Sequence, residues 1–202
     1  MENWMTLVLG ILLNFSLAFN VHAQDKRFFD IIVKGDTVGD LVANRSYSGE
    51  NMIIEITTNM KVRLIQRVDF AYYLVAEYDK AGLIRSEMTV KLQGREHNNI
   101  RVEKVADETY VVREDGKSRQ MHQLISFSSA RLFFEEPTRV QETFTESEGY
   151  SKQIIKDGEH RYLVKGSKSK PNVYQYDKDG VLLEIKSSHA MIPDFRTVRR
   201  KQ

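Results

Sequence analysis

Residues 51–64 read N-M-I-I-E-I-T-T-N-M-K-V-R-L. Met52, Ile54, Ile56, Thr58, Met60, Val62 and Leu64 fall at every second position. Asn51, Glu55, Thr57, Asn59, Lys61 and Arg63 stand between them, with Ile53 the exception. Side chains leave one face of an extended chain with a period of two, so this run is a strand with one dry and one wet face. It is about 40 Å long, and a strand of that length twists and curls.

The same pattern continues on both sides. Phe28 to Val33 and Thr37 to Tyr47 precede the run, separated by Lys34-Gly35-Asp36 and followed by Ser48-Gly49-Glu50. After it, Phe70, Tyr72, Leu74, Ala76 and Tyr78 alternate, and Lys80-Ala81-Gly82 turns into Ile84, Met88, Val90 and Leu92. Strands follow at 99–106, 109–113 and 118–122, the last two joined by Asp115-Gly116, a strong hairpin signal. Further runs occupy 139–145, 150–156, 159–165, 172–176 and 181–186, with turns at Glu148-Gly149, Asp157-Gly158 and Asp179-Gly180. Short, even spacing of this kind argues an antiparallel meander.

The period changes at one place, Ile125 to Pro137, I-S-F-S-S-A-R-L-F-F-E-E-P. A Ser pair leads into Ala130, Leu132, Phe133 and Phe134, enough for about two helical turns with a large apolar face, stopped by Pro137. A sheet with one dry face must close on itself, fold over, or be covered by a helix. The expected fold is therefore all-β: an antiparallel meander forming a strongly curved sheet or open barrel, with one short helix as plug.

Met1 to Ala23 reads as a signal peptide. Thr6 to Val21 is a nearly charge-free apolar run, and Val21-His22-Ala23 places small residues at the −3 and −1 positions of a cleavage site. Asn14 and Asn20 interrupt a run already at the lower limit for a membrane span, so no transmembrane segment is expected after cleavage. The organisation is thus 1–23 signal peptide and 24–202 a single β domain. The chain has no cysteine, hence no lipid anchor at an amino-terminal thiol, no disulfide framework and no thiol chemistry. An exported chain without disulfides points to the periplasm or the secreted fraction.

The formal net charge is +2, and removing Glu2 with the leader raises it to +3. Arg196, Arg199, Arg200 and Lys201 supply four positive charges in a basic tail, 196–202, which reads as a solvated end. The body without it is near −1, not the basic field of a nucleic-acid binder.

No H-x-H, H-E-x-x-H or G-x-S-x-G occurs, so no metal, cofactor or catalytic residue is assigned. Asp177-Lys178-Asp179-Gly180 is a fragment of a calcium loop without its register, and reads as a hairpin turn. Tyr78-Asp79-Lys80-Ala81-Gly82 echoes Tyr176-Asp177-Lys178-Asp179-Gly180, which reads as two similar hairpins. Glu135-Glu136 at a helix end opposes the dipole, so either Arg131 or Arg139 compensates or one carboxylate faces a pocket.

F-D-I-I-V-K-G-D-T-V-G at 29–39, Y-D-K-A-G-L-I at 78–84, S-S-A-R-L-F-F-E-E-P at 128–137 and Y-D-K-D-G-V-L at 176–182 carry a resemblance. Together they resemble an uncharacterised family of exported bacterial proteins, a domain of unknown function expected to be all-β. The family's recurring segment falls here on Ser129, Leu132, Phe133, Phe134, Glu136 and Pro137. That family often has Tyr in the aromatic pair, and Phe here removes a proton donor. The resemblance implies no catalytic residue.

Aromatic residues on the dry faces admit two readings, core or the lining of a cavity for an apolar ligand. The expected pocket is lined by Phe70, Tyr72, Met88, Leu132, Phe133, Phe134 and Glu136, and its ligand is lipid-like or another small amphiphile. The alternative is an envelope protein held by a sheet edge or by the basic tail. A hydrolase would need a Ser or carboxylate beside a His such as His122 or His160.

Overall fold

A computed structural model describes residues 24–63, 67–166, 170–189 and 192–201. The leader expected at 1–23, and Leu64 at the end of the long alternating run, lie outside the described residues. Fourteen strands form one antiparallel, unclosed, curved sheet among the described residues. In chain order they are β1 (Asp25–Val33), β2 (Asp36–Ser48), β3 (Asn51–Arg63), β4 (Arg67–Tyr78), β5 (Leu83–Leu92), β6 (Arg95–Ala106), β7 (Thr109–Glu114) and β8 (Lys117–His122). The return half is β9 (Glu142–Thr145), β10 (Tyr150–Lys156), β11 (Arg161–Lys165), β12 (Asn172–Tyr176), β13 (Leu182–His189) and β14 (Ile192–Arg199).

The meander starts in the middle of the sheet. Strands β1 to β8 run outward to one edge, the chain crosses to the other edge at β9, and β9 to β14 run back until β14 pairs with β1. Residues 196–199 of the stretch read as a solvated basic tail therefore belong to an internal strand: Phe29 to Val33 pair with Phe195 to Arg199, and β13 pairs on the other side. Thr197 is buried in this strand, while Arg196 and Arg200 reach out to Glu184 and Asp30.

The dry face of β3 continues across its neighbours. Ile54, Ile56, Met60 and Val62 are buried, as are Ala76 and Leu74 opposite the first two, Tyr78 at the end of β4, and Phe29, Ile31 and Val33 on β1. On β5, a bulge between Glu77 and Tyr78 sets Leu83 opposite Tyr78, so Leu83 rather than Ile84 is the buried residue at that end.

The crossing segment enters the concave side as a plug. It holds one 3-10 turn, Arg131–Phe133, rather than about two helical turns. Ser128 is committed to a bridge with Phe144, with Ser129 N–H donating to Phe144 O at 2.7 Å, so no helix can begin before it. At the other end, the i+4 partner of the Phe133 carbonyl would be Pro137, which has no N–H. That carbonyl instead accepts from Arg27 at 2.8 Å, and the Leu132 carbonyl from Tyr176 Oη at 2.9 Å. Tertiary partners thus replace helical ones.

Phe133 packs edge-on against Phe29 at 5.6 Å, and Arg27 and Arg45 flank the Phe134 ring at 4.9 Å each. The segment also covers the β9 edge through the Ser128–Phe144 bridge. At the opposite edge β8 carries Lys117, Ser118, Arg119 and Gln120, all exposed, the kind of polar edge that resists pairing with another chain. Arg119 spans from there to the Gly149 carbonyl at the β9–β10 turn. No helix among the described residues is long and apolar enough to cross a membrane.

Candidate functional site

The plug fills one part of the concave side, and the part it leaves is a cavity of about 560 Å³. Its wall is apolar where the two halves of the sheet face each other: Leu41, Ile56 and Leu74 from one half, Val164 and Ile185 from the other. Of the residues expected to form a pocket, Phe70, Tyr72 and Phe133 border this cavity. Met88, Leu132 and Phe134 are buried in the core and do not border it. Glu136 does not border it either.

One set of polar groups lies at the seam where β6 and the β7–β8 turn approach β9 and β10, while Thr58, Asn172, Ser187 and Thr197 line the cavity elsewhere. Asn98, Asp115, Thr145, Glu148 and Lys152 all line the cavity. The Lys152 side chain is 5% exposed, and its ammonium donates to the Glu148 carboxylate. Asn98 Oδ1 and Thr145 Oγ1 are buried without a hydrogen-bond partner.

Beside this seam lies a buried carboxylate that sequence reasoning missed. Glu146 is fully buried on the chain that leaves β9. It accepts from Ser128 Oγ and, at 2.5 Å, from Ser129 Oγ, with Tyr78 Oη 3.5 Å away. Burial pushes its carboxyl above the usual carboxylate range, outweighing the hydrogen bonds from Ser128 and Ser129 that oppose the shift. Burial likewise raises Tyr72 and Tyr174, which both border the cavity, and the Glu146 charge adds to each rise. Acid in a polar T-E-S-E-G stretch reads as a solvated turn. Only the crossing of the plug over β9 buries it.

The family whose pattern matches residues 29–200 is DUF6134, described as a domain of unknown function. The chain belongs to this family. The matched region includes every motif on which the family resemblance rests, and no curated protein matches the chain. Among solved structures, the chain is similar to a beta-barrel-like protein of the domain of unknown function DUF1849 from Brucella abortus. The TM-score is 0.60 at 11% identity, covering 87% of this chain and 95% of that one. At that identity the likeness shows the fold.

The acidic pair that closes the plug of this DUF6134 domain separates into two roles. Arg131 holds Glu135 with two hydrogen bonds, of 3.2 and 2.7 Å, which compensates the unfavourable helix end. Glu136 turns the other way, 3.1 Å from His160 Nδ1, and accepts from Tyr162 Oη at 2.7 Å. Tyr162 is raised to about 12, by burial first and the Glu136 hydrogen bond second. This carboxylate–imidazole pair is the contact a hydrolase would need, but neither residue borders the large cavity. The His122 ring stands 3.4 Å from Thr109 Oγ1.

Proposed function

We propose that this DUF6134 domain is exported to the periplasm or secreted after loss of Met1 to Ala23. There it binds an apolar or amphiphilic, lipid-like ligand in its concave cavity, without catalysing a reaction on it. The observation that carries the reading is the cavity itself. Its volume, about 560 Å³, lies within the range of small-molecule sites. Its lining, apolar side chains from both halves of the sheet with polar ones among them, suits an apolar or amphiphilic ligand. Less supports the alternative, an envelope protein held by a sheet edge or the basic tail. β14 is paired on both sides, β9 is covered by the plug, and β8 is polar.

Native mass spectrometry of the protein purified from its own cells, before and after solvent extraction, tests the proposal. A stoichiometric extra mass released by solvent supports it and names the ligand class. A bare mass, together with no uptake of a hydrophobic fluorescent probe, would reject it and direct attention to crosslinked partners.

A further inference from the structure

We infer that Tyr72 and Tyr174 together hold the ligand by a carbonyl oxygen, each phenol donating one hydrogen bond to it. The ligand class is an apolar chain that carries a carbonyl group. The inference rests on the binding reading above and adds the group by which the ligand is recognised.

The two side chains come from opposite halves of the sheet, Tyr72 from β4 and Tyr174 from β12, and both line the cavity. Tyr174 is 6% exposed, and Tyr72 is half-buried. The other buried tyrosines commit their hydroxyls to the protein: Tyr78 to Ser128, Tyr110 to the Leu83 carbonyl, Tyr162 to Glu136 and Tyr176 to the Leu132 carbonyl. Tyr72 and Tyr174 have no such partner among the described residues, and only burial and neighbouring ionisable groups act on them. Nor are their oxygens among the enclosed polar atoms that lack a partner. The hydroxyls therefore open into the space that both residues line. They open into one region of it, because Tyr174 adds to the rise of Tyr72 and the same carboxyl, Glu146, acts on both.

Burial keeps both phenols protonated, so each has one O–H to give and no protein acceptor to take it. A carbonyl oxygen has two lone pairs and can accept from both, whereas a hydrocarbon offers nothing and an ammonium offers only donors. A buried polar group left without a partner costs free energy, which favours a chain with a carbonyl over a bare chain of equal length. The apolar walls of the same cavity, with Ile56 and Leu74 on one side and Val164 and Ile185 on the other, suit that chain.

The test is titration of the lipid-stripped protein with methyl octyl ketone, isotopically labelled at its carbonyl, read by infrared spectroscopy and calorimetry. In the natural protein the carbonyl band should lie at lower wavenumber than in a hydrocarbon solvent, because two phenols donate to it. Tyr72→Phe and Tyr174→Phe should each move the band part of the way back and weaken binding about fivefold. Both should leave the melting temperature of the empty protein at or above its natural value, since no protein hydrogen bond is lost. Tyr176→Phe, which loses one, should lower it. A bound ketone whose band stays at the hydrocarbon position in the natural protein overturns the pair without any variant. A band and affinity unmoved by the two substitutions, or moved by only one of them, overturn it as well, and the cavity reading stands. Uptake of a hydrophobic fluorescent probe without uptake of the ketone has the same meaning. Uptake of neither overturns both.

Discussion

Tyr78 and Tyr176 close on the same plug from opposite halves of the sheet. Tyr78 Oη meets Ser128 Oγ, and Tyr176 Oη donates to the Leu132 carbonyl at 2.9 Å. Each tyrosine is followed by an aspartate that fixes its hairpin. Asp79 Oδ1 accepts from the N–H groups of Ala81 and Gly82, and Asp177 Oδ1 from those of Asp179 and Val181. The hydrogen bonds from Gly82 and from Val181 are the largest influences holding the two carboxyls below the usual range. The echo between 78–84 and 176–182 is thus a shared device, in which a turn aspartate sets the bend and the tyrosine before it grips the plug.

Tyr176→Phe should therefore destabilise the protein by about 1–3 kcal/mol, because it leaves the buried Leu132 carbonyl without a donor. Tyr78→Phe should cost at least as much, since Ser128 and Glu146 both lose a partner. Urea unfolding followed by tyrosine fluorescence reads both. An unchanged midpoint for Tyr176→Phe would mean that the plug is held by packing alone.

Glu146 predicts the sign of a pH dependence. Its folded carboxyl titrates above the ordinary value of 4.5, so the folded state keeps the proton that the unfolded chain releases. The stability this contributes is complete below pH 4.5 and is lost as pH rises through the folded value. Tyr72, Tyr78 and Tyr174 surround the group, and all stay neutral through that window because burial raises them as well. Glu146→Gln should remove this decline, so the difference between its unfolding free energy and that of the natural protein should change as pH rises above 4.5. Asp79 and Asp177 act in the opposite sense near 3.8, but both proteins share them. Parallel stability curves for the two proteins would contradict the assignment.

Two glycines are required by close approach. A Cβ on Gly82 would run into the Ile125 carbonyl, where the β4–β5 hairpin meets the plug, and one on Gly39 would sit 2.6 Å from Met60 Cα on β3. Gly82→Ala and Gly39→Ala should each cost about 2–3 kcal/mol or more. Gly49→Ala is the comparison, with an open surrounding and only its φ of +61° to strain, at about 1 kcal/mol. Equal melting temperatures for all three variants would show that backbone can shift at both contacts.

Val90 borders the cavity and is only partly buried, so Val90→Phe places a ring where the ligand is proposed to lie. The melting temperature should hold or rise, because space is filled rather than opened. Uptake of a hydrophobic fluorescent probe should fall at least about tenfold. Undiminished uptake by the folded variant would place the ligand elsewhere.

Much of the sheet was legible residue by residue. The strands read at 150–156 and 172–176 coincide with β10 and β12, and residues 51–63 of the long run with β3. The strand that joins the two halves was not. Phe195 and Thr197 border the cavity, but the arginines at 196 and 199 make the stretch read as a solvated end. Of the pocket residues, Phe70, Tyr72 and Phe133 were placed at the cavity by alternation and the plug motif, whereas Thr145 and Lys152 lie in polar stretches that mark no face.

Alternation and turn chemistry act between residues a few positions apart, and for that reason the all-β class, the hairpins and the presence of one plug follow from the sequence alone. The pairing of β1 with β14, the shortening of the plug to a single 3-10 turn and the burial of Glu146 are different in kind. Each depends on partners far away in the chain, such as Tyr78 with Ser128 or Arg27 with the Phe133 carbonyl, separated by 50 and 106 positions. The free energy of such contacts exists only once the sheet has curved and brought them together. The tertiary structure therefore decided where the cavity lies and which polar groups face it.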